Sequence, residues 1–157
     1  MKRIKWSELL IYVISAELVG ALSGIASGGD FGSFYQSLQR PPFAPPGWLF
    51  PVAWVVLYAL MGISAYLVGR EETSQGSAAL KLYWLQLAVN FLWSPVFFRF
   101  RSLGGAAAVI VVLVLLVTGM TVWFWRIRKA AGILNIPYVL WTVYATYLTI
   151  GILKLNG

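Results

Sequence analysis

The sequence predicts an all-α integral membrane protein, a bundle of five transmembrane helices with a long, proline-rich first loop acting as a lid. Two observations carry that prediction. First, 60% of the 157 residues are hydrophobic, only 11% are charged, and the mean hydropathy is +0.78, whereas soluble domains carry roughly 25% charged residues. Less than half the usual charge points to lipid as the solvent. Second, five apolar runs of spanning length use nearly the whole chain, since a helix needs about 20 residues to cross roughly 30 Å of hydrocarbon. Residues 1–157 are therefore read as one transmembrane domain.

The first run, 9–27, follows a basic head, Met1-Lys2-Arg3-Ile4-Lys5, which fits a first span or a secretory signal; the apolar length exceeds a usual signal core and favours a span. It carries Ala16, Gly20, Gly24 and Gly28 at four-residue spacing. Such a strip lets another backbone approach closely, within the chain or across a homodimer seam. Glu17 is the one acidic residue well inside a span, a functional candidate by default: either a proton-coupled site or a neutral acid tied to a neighbouring hydroxyl or backbone group. The connection 28–47 follows, with Gly28-Gly29-Asp30, Phe34-Tyr35 and the stretch Arg40-Pro41-Pro42-Phe43-Ala44-Pro45-Pro46-Gly47-Trp48. Prolines and rings make this a stiff, amphipathic lid rather than a flexible linker.

The second run, 48–68, has Pro51 near its start, where a missing N–H costs least, and sets Trp54 and Tyr58 one turn apart on a common face. The third, 82–98, aligns Gln86, Asn90, Trp93 and Phe97 on one face, and its amides either bond another helix or fix the polar edge of a ligand. Pro95 should bend or end that helix. The fourth, 105–125, ends on Trp123 and Trp125, which with Trp48 read as anchors at the membrane surface. The fifth, 133–153, has Pro137 and Tyr138 at its start, read as a helix onset, and Trp141, Ala145 and Leu148 along one face.

The chain has no cysteine and no histidine, which excludes disulfides, thiolate nucleophiles, the usual zinc sites, histidine bases and the commonest haem ligands. No metal site and no required cofactor are expected. Ring surface is abundant instead, with 8 Trp, 8 Tyr and 9 Phe. Trp54, Trp93 and Trp141 lie too deep for a surface belt, and a ring-lined pocket with a few amides suits a flat, largely apolar ligand with a polar rim.

The net charge of +7 is spread between the apolar runs, which marks membrane-surface loops and argues against nucleic acid. Lys2, Arg3, Lys5, Arg70, Lys81, Arg126, Arg128 and Lys129 fall on one side; Arg40, Arg99, Arg101 and Lys154 fall on the other. The excess predicts a cytosolic amino terminus, with the long loop outside. A cholesterol-type pattern fails, because Lys154 follows Tyr147 after too long a gap.

Phe34-Tyr35 through Leu38, Arg40-Pro41, Pro45-Pro46-Gly47-Trp48, Trp54 and Leu57-Tyr58 resemble the tryptophan-rich sensory protein family (TspO/MBR), also called translocator protein or peripheral benzodiazepine receptor. The stretch from Gln86 through Asn90 and Trp93 to Pro95, and Pro137-Tyr138-Val139-Leu140-Trp141 with Ala145-Thr146, are similar to that family's third and fifth helices. The resemblance covers essentially the whole chain. It implies a five-helix bundle in the bacterial cell membrane, often a homodimer, whose cavity under the first loop binds protoporphyrin IX or related tetrapyrroles and benzodiazepine-like or isoquinoline drugs. Eukaryotic relatives also bind cholesterol.

By position, the resemblance puts Tyr35, Pro45, Trp48 and Phe50 on the lid side. Trp54, Tyr58, Asn90, Trp93, Phe97, Trp141, Ala145 and Leu148 would form the cavity wall. Light-dependent degradation of protoporphyrin by some bacterial members depends on tryptophans matching Trp54 and Trp141. The chain departs from the family pattern with Phe34 where Trp is common, with Thr149 where Asn is common, and with Glu17, which matches no family position. Glu17 also motivates an alternative, a small proton-coupled transporter of hydrophobic compounds, against which stand the five spans and the proline-rich loop.

Overall fold

The computed structural model describes residues 3–28 and 32–157; Lys2 and the Gly29-Asp30 pair of the sequence reading lie outside the described residues. The described chain folds into six α-helices: α1 (Trp6–Ala26), α2 (Gly32–Ser37), α3 (Leu49–Gly69), α4 (Ser74–Ser94), α5 (Leu103–Ile127) and α6 (Lys129–Asn156). A π-helical turn, Pro95–Arg99, extends α4. Five of the helices are long and form the predicted bundle. By length and composition α1, α3, α5 and α6 are apolar enough to cross a membrane.

α4 is equally long, at 21 residues, but more polar, for two reasons. Thr73 accepts a hydrogen bond from the Gly76 N–H at 2.9 Å, which starts the helix ahead of its apolar run. Farther along, Gln86 and Asn90 are turned into the bundle, 0% and 4% exposed. The helix therefore hides polarity inward instead of presenting it to lipid.

Two local expectations change. Pro137 lies inside α6, not at its onset: Arg128 is extended and breaks the chain just before Lys129, so the helix begins about one turn ahead of the apolar run. Gly28 lies past the end of α1, with φ +92°. A left-handed glycine there terminates the helix, so only Ala16, Gly20 and Gly24 belong to the packing strip. The first loop contains the short helix α2 ahead of its proline segment. Pro95 behaves as expected, since the frozen ring and missing N–H open the π turn, where Phe100 N–H reaches the Pro95 carbonyl at 3.0 Å.

Around the bundle α1 packs on α3, α3 on α6, α6 on α5, α5 on α4, and α4 returns to α1. Small residues set the closest approaches. A Cβ on Gly62 would lie 2.6 Å from the Val13 Cα, so the backbones of α1 and α3 touch. A Cβ on Gly132 would meet Trp125 Cβ at 2.6 Å, where the single residue Arg128 links α5 to α6. Close packing of this kind holds helices together in lipid, where burying apolar surface gains little.

The long loop is strapped to α6. Tyr147 donates to the Pro42 carbonyl at 2.7 Å, Tyr144 donates to that of Phe43, and the Asn156 amide donates to the Gln39 carbonyl at 2.7 Å. Within the loop, Tyr35 donates to the Pro45 carbonyl at 2.6 Å.

Candidate ligand cavity

A cavity of about 480 Å³ opens among α1, α3 and α4. It lies at the end of the bundle that the long loop joins, because it uses the later turns of α1 and α4 and the first turns of α3. From α1 come Glu17, Gly20, Ala21, Ser23 and Gly24; from α3, Phe50, Pro51, Trp54, Val55 and Tyr58; from α4 and its π turn, Asn90, Trp93, Ser94 and Phe98. The volume falls within the ~300–1,000 Å³ usual for small-molecule sites.

Ring packing builds the walls. Trp54 stacks on Tyr58 at 5.5 Å between centroids and 29° between planes. Gly20 makes room for that stack, since a Cβ there would lie 2.3 Å from the Tyr58 ring. Across the cavity, Trp93 stacks on Phe97 at 5.1 Å and 23°. Trp54 also meets Trp141 edge to face at 6.2 Å and 83°, and Phe50 meets Trp141 at 6.0 Å. Each such pair is worth about 0.5–1.5 kcal/mol beyond its burial.

Behind the rings runs a polar chain linking α3, α4 and α6. Tyr58 donates to the Asn90 carbonyl oxygen, the Asn90 amide donates to the Tyr138 hydroxyl at 2.7 Å, and Tyr138 donates to Gln86 Oε1 at 2.7 Å. Gln86 then reaches the Met61 sulfur at 3.8 Å. Gln86 is thus a strut between helices. Asn90 is a strut at the cavity edge.

The sites named from sequence separate into layers. Phe50, Trp54, Tyr58, Asn90 and Trp93 line the cavity. Tyr35 and Pro45, both buried, sit against it through the 5.2 Å contact of Tyr35 with Phe50. Phe97 lies one ring behind Trp93, and Trp141 one ring behind Trp54. Ala145 and Leu148, 3% and 2% exposed, belong to the core along α6. Trp48 stands apart at 67% exposed; as the residue capping α3 it projects outward. Trp141 also lines a second, apolar groove of about 460 Å³ between α3 and α6, on the opposite face of α3.

Of the α1 wall, sequence reasoning singled out Glu17 as a functional candidate but not Gly20, Ala21, Ser23 or Gly24 as cavity lining. The signal for these was the glycine strip, which was read only as a packing surface; Gly20 does pack, against Tyr58, while Gly24 faces the cavity. Two buried indole N–H groups, Trp93 Nε1 and Trp141 Nε1, have no hydrogen-bond partner among the described residues. Each such group costs about 1–3 kcal/mol until something accepts from it.

The charged groups near the cavity differ between its lining and the loop end of the bundle: Glu17 lines it, and the arginines stand outside the lining. At the loop end, Arg99 donates to the Ala26 carbonyl, Arg101 lies 4.9 Å over the Phe34 ring and Arg40 lies 4.8 Å over the Tyr35 ring. Burial pushes the Tyr35 hydroxyl above its ordinary value, and Arg40 partly opposes the shift. Toward the middle of α1 stands Glu17, with neither an ion pair nor a hydrogen bond among the described residues. Among the described residues no group of acidic side chains could hold a metal ion.

These features define an integral membrane protein of five long helices with a ring-walled cavity beside a strapped first loop. The sequence profile of the TspO/MBR family matches residues 12–155. The chain is 40% identical over 148 residues to Protein CrtK of Rhodobacter capsulatus, covering 93% of this chain and 91% of that one. It is 41% identical over 124 residues to the tryptophan-rich sensory protein of Cereibacter sphaeroides, 78% and 77% of the two chains. With the translocator protein of Bos taurus it shares 33% identity over 147 residues, 89% and 85%. The chain belongs to the TspO/MBR family.

Proposed function

We propose that the cavity binds a flat, largely apolar ring ligand with an acidic edge, of the protoporphyrin IX type, and that the protein serves the cell membrane as a tetrapyrrole-binding protein or sensor. The observation that carries this reading is the cavity itself, with the Trp54–Tyr58 and Trp93–Phe97 stacks in and behind its walls. Stacked rings supply broad, rigid contact area to a planar molecule at little entropic cost. Ligand carboxylates need cations, and Arg99 and Arg101 stand at the loop end of the bundle, outside the cavity lining, as the candidates. The unmatched Trp93 N–H is a donor for a polar atom on the ligand rim. Benzodiazepine-type molecules, largely apolar ring systems with a carbonyl edge, suit the same aromatic walls.

Photochemistry is a secondary part of this reading. A porphyrin against Trp54, once excited, can exchange an electron with the indole, and Trp141 in edge contact extends the path by one ring. No acid–base group is required.

The test is titration of the detergent-solubilised protein with protoporphyrin IX, following tryptophan fluorescence. Saturable quenching is expected, weakened about tenfold by Trp54→Phe through lost stacking area. Under illumination, Trp54→Phe and Trp141→Phe are expected to slow the loss of porphyrin absorbance. A parent protein without saturable quenching overturns the binding reading; unchanged bleaching in both variants overturns the photochemical one.

A further inference from the structure

One cavity residue is unused by an acidic, apolar ligand. Glu17 lies one turn before Gly20 on α1, hence on the side of the helix that Tyr58 packs against, and it is the cavity residue of α1 farthest from the loop. Among the described residues no basic side chain lines the cavity with it. A carboxylate in low-dielectric surroundings is costly unless a cation pairs with it. Within a membrane span such a residue faces a cavity or a partner rather than lipid. Trp54 and Tyr58 line the same cavity, and aromatic faces attract cations on their own account. A carboxylate in one cavity with stacked rings has the chemistry of an organic-cation site.

We propose that the inner end of the cavity is a cation subsite, in which Glu17 and the Trp54–Tyr58 stack receive a protonated amine carried on a flat apolar ring system. The inner end of the cavity is then acidic, while Arg40, Arg99 and Arg101 stand outside its lining at the loop end of the bundle. The cavity accepts planar amines at its inner end, and planar acids only with their carboxylates toward the loop. Glu17 is the specificity determinant between the two classes. The inference rests on the reading of this cavity as a site for flat ring ligands.

The experiment uses the full chain in lipid nanodiscs and two probes of matched ring size, 9-aminoacridine, a cation at neutral pH, and anthracene, which is uncharged. Glu17→Gln keeps the shape of the side chain and removes its charge. It is expected to weaken 9-aminoacridine binding about tenfold and to leave anthracene binding within about twofold, while protoporphyrin quenching is retained or strengthened. The exposed Glu8→Gln is expected to change none of these, which separates cavity binding from adsorption of the dye to the surface. Unchanged 9-aminoacridine affinity in Glu17→Gln, or an equal fall for both probes, overturns the subsite. A charge-specific fall in a protein that shows no porphyrin quenching supports the subsite and overturns the tetrapyrrole reading alone.

Discussion

Asn90 accepts from Tyr58 and donates to Tyr138, so the amide that looks like a ligand contact in the sequence is first of all a joint between three helices. Asn90→Leu leaves both hydroxyls without that partner in a water-poor interior, and is expected to cost about 1–3 kcal/mol, read as a lower thermal midpoint of the purified protein. Tyr138→Phe removes the donor to Gln86 and should do the same with a smaller shift. Tyr35 supplies a pH prediction. Its hydroxyl is raised above the ordinary value of 10.0 by burial, so the neutral form that donates to Pro45 is favoured by folding. That contribution is complete below pH of about 10 and is lost as pH rises through the raised value. The parent is therefore expected to lose stability with alkalinity more steeply than Tyr35→Phe, measured by thermal unfolding across alkaline buffers.

Among elements, glycines of similar appearance in the sequence have unequal roles. Gly62 admits the backbone of α1, and a Cβ there would meet Val13 backbone atoms that cannot move aside. Gly119 on α5 has nothing within 4 Å of the place a Cβ would occupy. Gly62→Ala is expected to destabilise by about 1–3 kcal/mol through overpacking. Gly119→Ala should be neutral or stabilising by up to about 1 kcal/mol, from helix propensity. Thermal unfolding of both variants in one detergent checks the contrast. The strapped loop follows the same rule of contact: a Cβ on Gly151 would lie 2.8 Å from Pro41, so α6 is shaped to receive the proline segment.

For the whole molecule, the two sets of basic residues fall at opposite ends of the bundle. Arg128 pairs with Glu71 at 3.4 Å, and Tyr66 joins the backbone N–H of Lys5 to Arg70, all at one end. Gln39 and Asn156 meet at the other, with Arg40, Arg99 and Arg101. The excess of basic residues at the first end predicts that it faces the cytosol. The chain has no native cysteine, so Phe43→Cys in the loop and Ser77→Cys at the start of α4, both exposed, can be probed in intact cells with a membrane-impermeant maleimide. Labelling of position 43 but not 77 is expected; the reverse pattern inverts the orientation.

What was legible in the sequence follows from forces that act locally. Lipid selects apolar runs of fixed length, so the helices at 9–27, 48–68, 105–125 and 133–153 could be read to within a few residues. Pro95 announced its π turn because the missing N–H is a covalent fact. Helix periodicity put Trp54 with Tyr58, and Gln86 with Asn90, on common faces. Composition excluded cysteine and histidine chemistry outright. The tertiary structure decided what no single helix contains. It set Asn90 as a strut, because Tyr58 and Tyr138 arrive from helices distant in sequence. It turned the glycine strip of α1 into one wall of a cavity, because the Tyr58 ring needs the space above Gly20. It left Trp48 outside and moved Trp141 one ring back. Periodicity names a face of each helix; only packing against the other four decides whether that face meets lipid, a neighbour or the cavity.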